Sequence, residues 1–439
     1  MRKVNIAVVG CGVVGSSLIS QLDVKHQRII DEFGIDIRVP KILVRNKDSK
    51  REAPVTSMLY SKDENDGNFT DVLTTDVEEI VHGEDIDLVV EVAGGIDDAH
   101  KIISAALSNS KSVVTANKAL LALKGNELYS LAEKNGVDLL FEAAVGGGVP
   151  IIRPIRESLA VEHINSVRGI LNGTTNFMLT QMTRDGMSYD EALSQAQALG
   201  YAEADPTADV EGHDAAAKIA IISLLATGAN ALAQDVQCVG ISNISTDDIA
   251  TAKKMGYVIK LIALVEERDE NSVFLRVEPT FVPVDHPFST VHDGFNAVFV
   301  EGEKLGEAMF YGRGAGGDPT ASAVLGDTID AAINISHERK GAVVGFAFDK
   351  KIADPREWES KFYVSAEVTD EHGVLVQIAE VLAKHKVSVE VINQDGHGET
   401  ARLLFITHET ADGNIKDAVG DLATLACVQE VTAVYPIMG

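Results

Sequence analysis

The 439-residue sequence predicts an α/β chain: a parallel-sheet domain that binds a dinucleotide, an α+β region inserted into it, and a C-terminal βαββαβ module. Three observations predict this. An apolar run at residues 4–9 breaks at Gly10-Cys11-Gly12-Val13-Val14-Gly15 and passes into a helical pattern. Apolar runs then alternate with helical stretches as far as residue 148. From residue 362, short period-2 runs and two helical repeats supply the six elements of the last module.

Each element follows from its residues. In the first glycine turn, one glycine permits the tight bend. The second removes a Cβ where a pyrophosphate approaches the backbone, and the third lets helix pack on strand, the pattern of a Rossmann-like nucleotide-binding domain. The alternative is a structural glycine turn. IRVPKILVR (37–45) is the expected second strand. Its end carries Arg45, followed by Lys47, Lys50 and Arg51, where an NAD-binding chain would place an acidic residue. Positive charge suits the 2′-phosphate of NADP, although a solvated charge run reads the same way. The tract at 61–71 is hydrophilic and reads as an exposed loop.

IDLVVEVAGG (86–95), KSVVTANK (111–118) and VDLLFEAAVGGG (137–148) repeat strand then small or polar tip. Ligands gather at such strand ends. The expected boundaries are residues 1–150 plus about 311–345 for the nucleotide-binding domain, and 151–310 for substrate binding and dimerisation. Residues 346–360 form a linker, and 361–439 the last module.

Composition narrows the function. With 38 basic and 66 acidic residues the chain carries a net charge of −28, which opposes non-specific binding to nucleic acid and to membrane surfaces. Three scattered cysteines, Cys11, Cys238 and Cys427, make neither a disulfide framework nor a zinc site and fit a reducing, cytoplasmic setting. No apolar run is long enough for a membrane helix, and the N-terminal run lacks a signal-peptide cleavage pattern.

The stretch EGHDAAAKIAI (211–221) poses the sharpest question. Asp214 and Lys218 share one face of a helix whose continuation is apolar on nearly every side. On a wet surface the pair is decoration. Buried, it needs a reason, because desolvating each ion costs several kcal/mol. His213 beside it is either catalytic or, more plainly, a helix-start histidine bonding backbone. Met and Phe in NFMLTQM read as core.

GCGVVG, TANKALLA, EAAVGGGVPII, ILNGTTNFML, GYAEADPTADVEGHDAAAK and GRGAGGDPTASAVLGD, in this order, resemble the homoserine dehydrogenase family, which interconverts aspartate 4-semialdehyde and homoserine with NAD(P)H. The resemblance covers roughly residues 1–340. The remainder, from FYVSAEVTDEHGVLVQ onward, resembles an ACT domain, an amino-acid-sensing module. No kinase-like region precedes the dehydrogenase part, as in the monofunctional form.

The resemblance implies roles. Lys218 lies near the reacting oxygen with Asp214 beside it, and Lys118 lies between nicotinamide and substrate. Glu203 and Asp209 hold the substrate's amino group and frame the pocket, with Thr174 and Tyr201 as further substrate-binding candidates. The cofactor set is Gly10 to Gly15 (Gly10, Cys11, Gly12, Val13, Val14, Gly15), Arg45, Lys47, Gly94, Thr115, Lys118 and Gly316. Glu142, Val145, Gly147 and Val149 imply a sodium ion, though a structural hinge fits as well. Asp370, His372 and Gly373 lie beside an effector site, for which threonine is expected. ACT-like sheets leave one face without helices and pair to cover it, so a homo-oligomer, dimer or tetramer, is expected. The alternative is a purely structural tail.

Two rivals fit less well. A phosphorylating semialdehyde dehydrogenase needs a nucleophilic cysteine, and none of the three is well placed. A catalytically silent amino-acid sensor could have lost Lys118, Asp214 or Lys218, yet all are present.

Overall fold

A computed structural model describes residues 2–49, 72–339, 350–398 and 400–439. Lys50, Arg51, the hydrophilic tract at 61–71, residues 340–345 of the expected nucleotide-binding domain and 346–349 of the expected linker lie outside the described residues.

The chain forms two compact units, one made of residues 1–164, 220–233 and 296–349, the other of 165–219, 234–295 and 350–439. In chain order the first unit opens with β1 (Arg2–Val9), α1 (Val13–Phe33), β2 (Ile35–Leu43) and β3 (Leu73–Thr74). It continues with β4 (Leu88–Glu91), α2 (Asp97–Ser108), β5 (Ser112–Thr115), α3 (Lys118–Asn135) and β6 (Leu139–Leu140). Strand β7 (Ile164–Ile170), from Asn165 onward, and α4 (Gly173–Asp185) belong to the second unit. Helix α5 (His213–Thr227) belongs to it as far as Ile219. Then come α6 (Thr246–Lys254), β8 (Tyr257–Asp269) and β9 (Ser272–Pro283). Strand β10 (Phe295–Gly302), from Asn296 onward, β11 (Gly306–Arg313) and helix α7 (Gly317–Ser336) return to the first unit. The last module comprises β12 (Glu359–Thr369), α8 (Val374–Lys384), β13 (Val389–His397), β14 (Thr400–Thr407), α9 (Asp412–Leu422) and β15 (Val428–Ile437).

In the first unit six strands run in the order β3-β2-β1-β4-β5-β6, all parallel. The order reverses between β1 and β4, so ligands belong at the carboxyl ends of those two strands. The run at 4–9 is apolar nearly throughout because β1 is central and buried on both faces. Leu18, Leu22 and Ile29 of α1 and Ala321, Val324 and Leu325 of α7 join one core with Val4, Ile6 and Val8 of β1.

The second unit carries an open sheet in which β7, β8 and β9 continue through β15 into β12, β14 and β13. The join is one parallel pairing, Phe281 to Ile437. Leu264 of β8 and Phe274 of β9 share one core with Trp358, Phe362, Val364, Ile378 and Leu422. Phe281 stacks on Tyr363 and Tyr435 at centroid distances of 4.5 and 5.6 Å. The face of the module's sheet expected to lack helices is met by α6. There Asp248, 1% exposed, accepts from Arg402 Nη2 and Tyr435 Oη, each at 3.3 Å.

Candidate functional site

In the first unit the chemistry gathers at the carboxyl ends of β1 and β4. Gly10 has φ +98°, and a Cβ there would approach Ala93 Cα to 2.7 Å. A side chain at Gly15 would collide with the Gly10 carbonyl oxygen. At Gly12 a Cβ would meet nothing within 4 Å, which is the open approach a pyrophosphate needs at the start of α1. Gly316, at φ +123°, precedes α7, and a Cβ on its neighbour Gly317 would come within 2.7 Å of Val13 Cγ1. The two glycine-rich loops therefore abut.

A cavity of about 890 Å³ opens here, lined by Gly10, Cys11 and Gly12, by Glu91 and Gly94, and by Arg45, Asn46 and Ser49 just past β2. Arg45 stands two residues beyond Leu43, the last residue of β2. The long spacing from Gly15 is absorbed by the 21 residues of α1. Lys47 does not line this cavity.

Glu91, wholly buried, organises the floor. Its Oε1 accepts from the N–H groups of Ala93 and Gly94, both at 2.9 Å, and its Oε2 from Thr115 Oγ1 at 2.7 Å. Thr115 Oγ1 in turn accepts from the Asn117 N–H at 3.0 Å. Asn117 caps α3 by accepting from Leu120 N and donates Nδ2 to Gly95 O at 2.6 Å. Lys118 is consequently fixed as the first residue of α3. Sequence reasoning named Thr115, Gly94 and Lys118 and missed Glu91. The signal was present: a carboxylate ending an otherwise apolar parallel strand, LVVE.

The Glu142 carboxylate accepts three backbone N–H groups, from Ile151 (2.5 Å), Ile152 (3.0 Å) and Arg153 (2.7 Å). Burial still raises its pKa above the ordinary value. Asp327, pushed up to about 8 chiefly by burial, accepts from the Glu142 N–H at 2.7 Å. Gly146 and Gly147 turn the intervening chain at φ +72° and +57°. A hard cation would suit the backbone carbonyls of Val145, Gly147 and Val149. Of the carboxylate's roughly four acceptor positions, three are taken by these amides. Among the described residues no group of three His, Cys, Asp or Glu side chains could hold a metal.

In the second unit the opening of α5 meets the turn from β7 to α4. Lys218 Nζ donates to Leu171 O at 2.6 Å and to Asp214 Oδ2 at 2.7 Å. The two side chains are 12% and 9% exposed, so the pair is no surface decoration. Asn172 Nδ2 donates to Asp209 Oδ1 (2.7 Å) and Asp214 Oδ2 (2.9 Å). Two of the three ammonium hydrogens of Lys218 thus have acceptors among the described residues. Thr174 Oγ1 donates to Tyr201 O at 2.8 Å, and the Tyr201 ring stacks on Phe177 at 4.6 Å. Glu203 is exposed in the same loop, and His213 is exposed at the first position of α5. Asn172 was not singled out by sequence.

Burial pushes the Cys238 thiol up to about 11, and its Sγ donates to Glu211 O at 3.1 Å. Such a thiol is no nucleophile at neutral pH, which removes the support a cysteine-dependent rival would need from it.

In the last module Gly373 sits at φ +90° as the N-cap of α8, and Asp370 Oδ1 accepts from Gln394 Nε2 of β13 at 3.2 Å. His372 is exposed.

Comparison with known proteins agrees with this geometry. Residues 10–142 match the homoserine dehydrogenase NAD-binding domain, 150–329 the homoserine dehydrogenase family proper, and 362–427 the ACT domain. The chain is 38% identical to homoserine dehydrogenase of Bacillus subtilis, covering 100% of this chain and 99% of that one. It is 41% identical to that of Corynebacterium glutamicum over 98% and 95%. A solved homoserine dehydrogenase from Thiobacillus denitrificans superposes with a TM-score of 0.90 at 34% identity, covering 99% of this chain and 98% of that one. A hyperthermophilic archaeal homoserine dehydrogenase in complex with NADPH gives 0.62 at 29% identity, over 75% and 98%.

Proposed function

From the premise that this chain belongs to the homoserine dehydrogenase family, oxidoreductases acting on a CH–OH group, we propose that it interconverts L-homoserine and L-aspartate 4-semialdehyde with Lys218 as the proton-carrying group. The observation that carries this is the nearly buried Lys218–Asp214 pair. The bound nicotinamide supplies or accepts the hydride. The chain does the rest. As the carbonyl is reduced, charge grows on its oxygen, and the Lys218 ammonium stabilises that charge and delivers the proton. Asp214 holds the amine in place and offsets the cost of burying it. Lys118, at the first turn of α3, adds a second cation to the reaction. Glu203 and Asp209 give the substrate's ammonium group its counter-charge, with Thr174 and Tyr201 shaping the same pocket.

NADP is the preferred cofactor in this reading, because Arg45 lines the cofactor cavity past β2, with Lys47 nearby in sequence. Gly10 to Gly15, Gly94, Thr115 and Gly316 complete its binding site. A sodium ion held by the Glu142 carboxylate and the carbonyls of Val145, Gly147 and Val149 would brace the hinge between β6 and residue 150. The ACT module binds threonine beside Asp370, His372 and Gly373 and lowers activity. The exposed strand β13, with Val391 and Ile392 in the open, supports pairing of modules in a homo-oligomer. The proposed domains are 1–150 with about 311–345, 151–310, and 361–439 after a linker at 346–360. The enzyme would serve threonine and methionine synthesis in the cytoplasm.

The test follows NADPH absorbance with homoserine. Lys218→Ala and Lys118→Ala should each lower kcat by about 10² to 10⁴ with the fold intact. Near-normal turnover in both variants removes the proposal.

A further inference from the structure

We propose that Asn172 is a positioning residue for this reaction: its side-chain amide fixes Asp209 and Asp214 relative to each other and so sets where Lys218 meets the substrate. The inference rests on the reading of Asp214 and Lys218 given above.

Asn172 sits in the two-residue turn between β7 and α4 and is 4% exposed. An asparagine side chain offers two N–H donors and an oxygen with two lone pairs, and all four are in use. Oδ1 accepts from Thr175 N at 2.8 Å and from Thr175 Oγ1 at 2.9 Å, capping α4. Nδ2 donates to Asp209 Oδ1 at 2.7 Å and to Asp214 Oδ2 at 2.9 Å. The amide's orientation is therefore determined. Thr175 N can only donate, so the oxygen must face the helix and the NH₂ must face the carboxylates. A flipped amide would set its oxygen against two acceptors.

The oxygen of Asp214 that Asn172 holds is the same Oδ2 that receives Lys218 Nζ. The neighbouring carbonyl, Leu171 O, takes a second hydrogen of that amine. Residues 171 and 172 thus hold all three charged groups at once, the lysine by backbone and the two aspartates by side chain. The turn has little room to shift. A Cβ at Gly173 would come within 3.0 Å of Gly294 O, and one at Gly294 within 2.5 Å of the Tyr201 ring.

Without the amide, Asp214 loses one of the donors that fix it, and the Asp209 and Asp214 carboxylates lose the group that bridges them. Lys218, held by the same Asp214 oxygen, is then placed less tightly.

The test separates bridging from capping. Asn172→Ser and Asn172→Asp both keep a good N-cap for α4, so the helix content read by circular dichroism should match the parent. Neither can donate two hydrogens to two carboxylates. Both should lower kcat and raise KM for homoserine, so that kcat/KM falls on the order of 10- to 100-fold, with the Asp variant the worse because it adds a third acceptor. KM for NADP should stay at the parent value. Parent-like kcat and homoserine KM in the Asp variant overturn the proposal, as does a loss spread equally over both substrates with a lowered melting temperature. Lys218→Ala is run alongside. If it keeps turnover, the underlying site assignment fails; if it loses turnover while both Asn172 variants behave as the parent, only the positioning role fails.

Discussion

Replacing Arg276 by methionine should unfasten the last module from the strands β8 and β9. The guanidinium is 1% exposed and every donor is engaged. Nε and Nη2 reach Glu278 at 2.5 and 3.1 Å, and Nη2 also reaches Asp412 Oδ1 at 2.7 Å. Nη1 donates to Gln237 Oε1 and to Pro355 O, both at 3.2 Å. The Trp358 ring lies beneath, its centroid 4.2 Å from the guanidinium carbon. Methionine fills most of the volume but strands two carboxylates, whose side chains are only 12% and 2% exposed. Removing one partner of a buried ion pair costs about 3–5 kcal/mol, and the cation–π contact adds about 0.5–2. Lys416 Nζ, 2.7 Å from Asp412 Oδ2, softens the loss, so about 4 kcal/mol is expected. Trp358 is the chain's one tryptophan, so its fluorescence during urea unfolding reports on this locality. The midpoint should fall sharply in Arg276→Met and recover in part when Glu278→Gln and Asp412→Asn are added, because neutral partners carry no stranded charge. An unchanged midpoint in the single variant refutes the reasoning.

Charge reversal at Arg45 should raise KM for NADP far more than for NAD, and equal changes would reduce the residue to loop decoration. Millimolar threonine should inhibit the full chain, and Asp370→Ala should raise the concentration needed; indifference of the parent enzyme removes the regulatory reading. Burial lowers the Lys260 ammonium from 10.5 to about 7, where it donates to Asn176 Oδ1 at 2.9 Å. Between those pH values the unfolded chain holds a proton that the folded chain lacks, so stability should rise with pH by up to about 1.4 kcal/mol per unit. Lys260→Met should flatten that rise, and an identical slope in the variant would show that other groups set it.

The nucleotide-binding half was legible because its signals are local. GCGVVG, the apolar strands and the tips TANK and EAAVGGG each state their structure within about a dozen residues, and a buried parallel strand leaves its mark on every position. The pair Asp214–Lys218 was legible for the same reason, being four apart on one helix. What held that pair was not. Leu171 O acts through its backbone, which no side-chain pattern announces, and Asn172 reaches Asp214 across 42 positions. The same holds at Glu142, whose carboxylate accepts three amides of the following turn, contacts that no side-chain pattern announces.

Periodicity recovered the order of strands and helices in the C-terminal module but could not say what the module touches. Arg276 meets Asp412 across 136 positions and Arg402 meets Asp248 across 154. The first pairs two buried charges and the second a half-buried guanidinium with a buried carboxylate, and a buried charge without its partner is costly. Separation of the module would therefore expose or strand Arg276, Asp412 and Asp248 together, which makes the joint stronger than the single strand pairing at Phe281 suggests. Asp248 also completes the capping box of α6, accepting from Ser245 N at 3.1 Å and Ser245 Oγ at 2.7 Å. One carboxylate thus serves the first turn of α6 and the sheet of the module at once. A displacement of β14 or β15 has to be accommodated at that turn, by contact and without any movement of a linker.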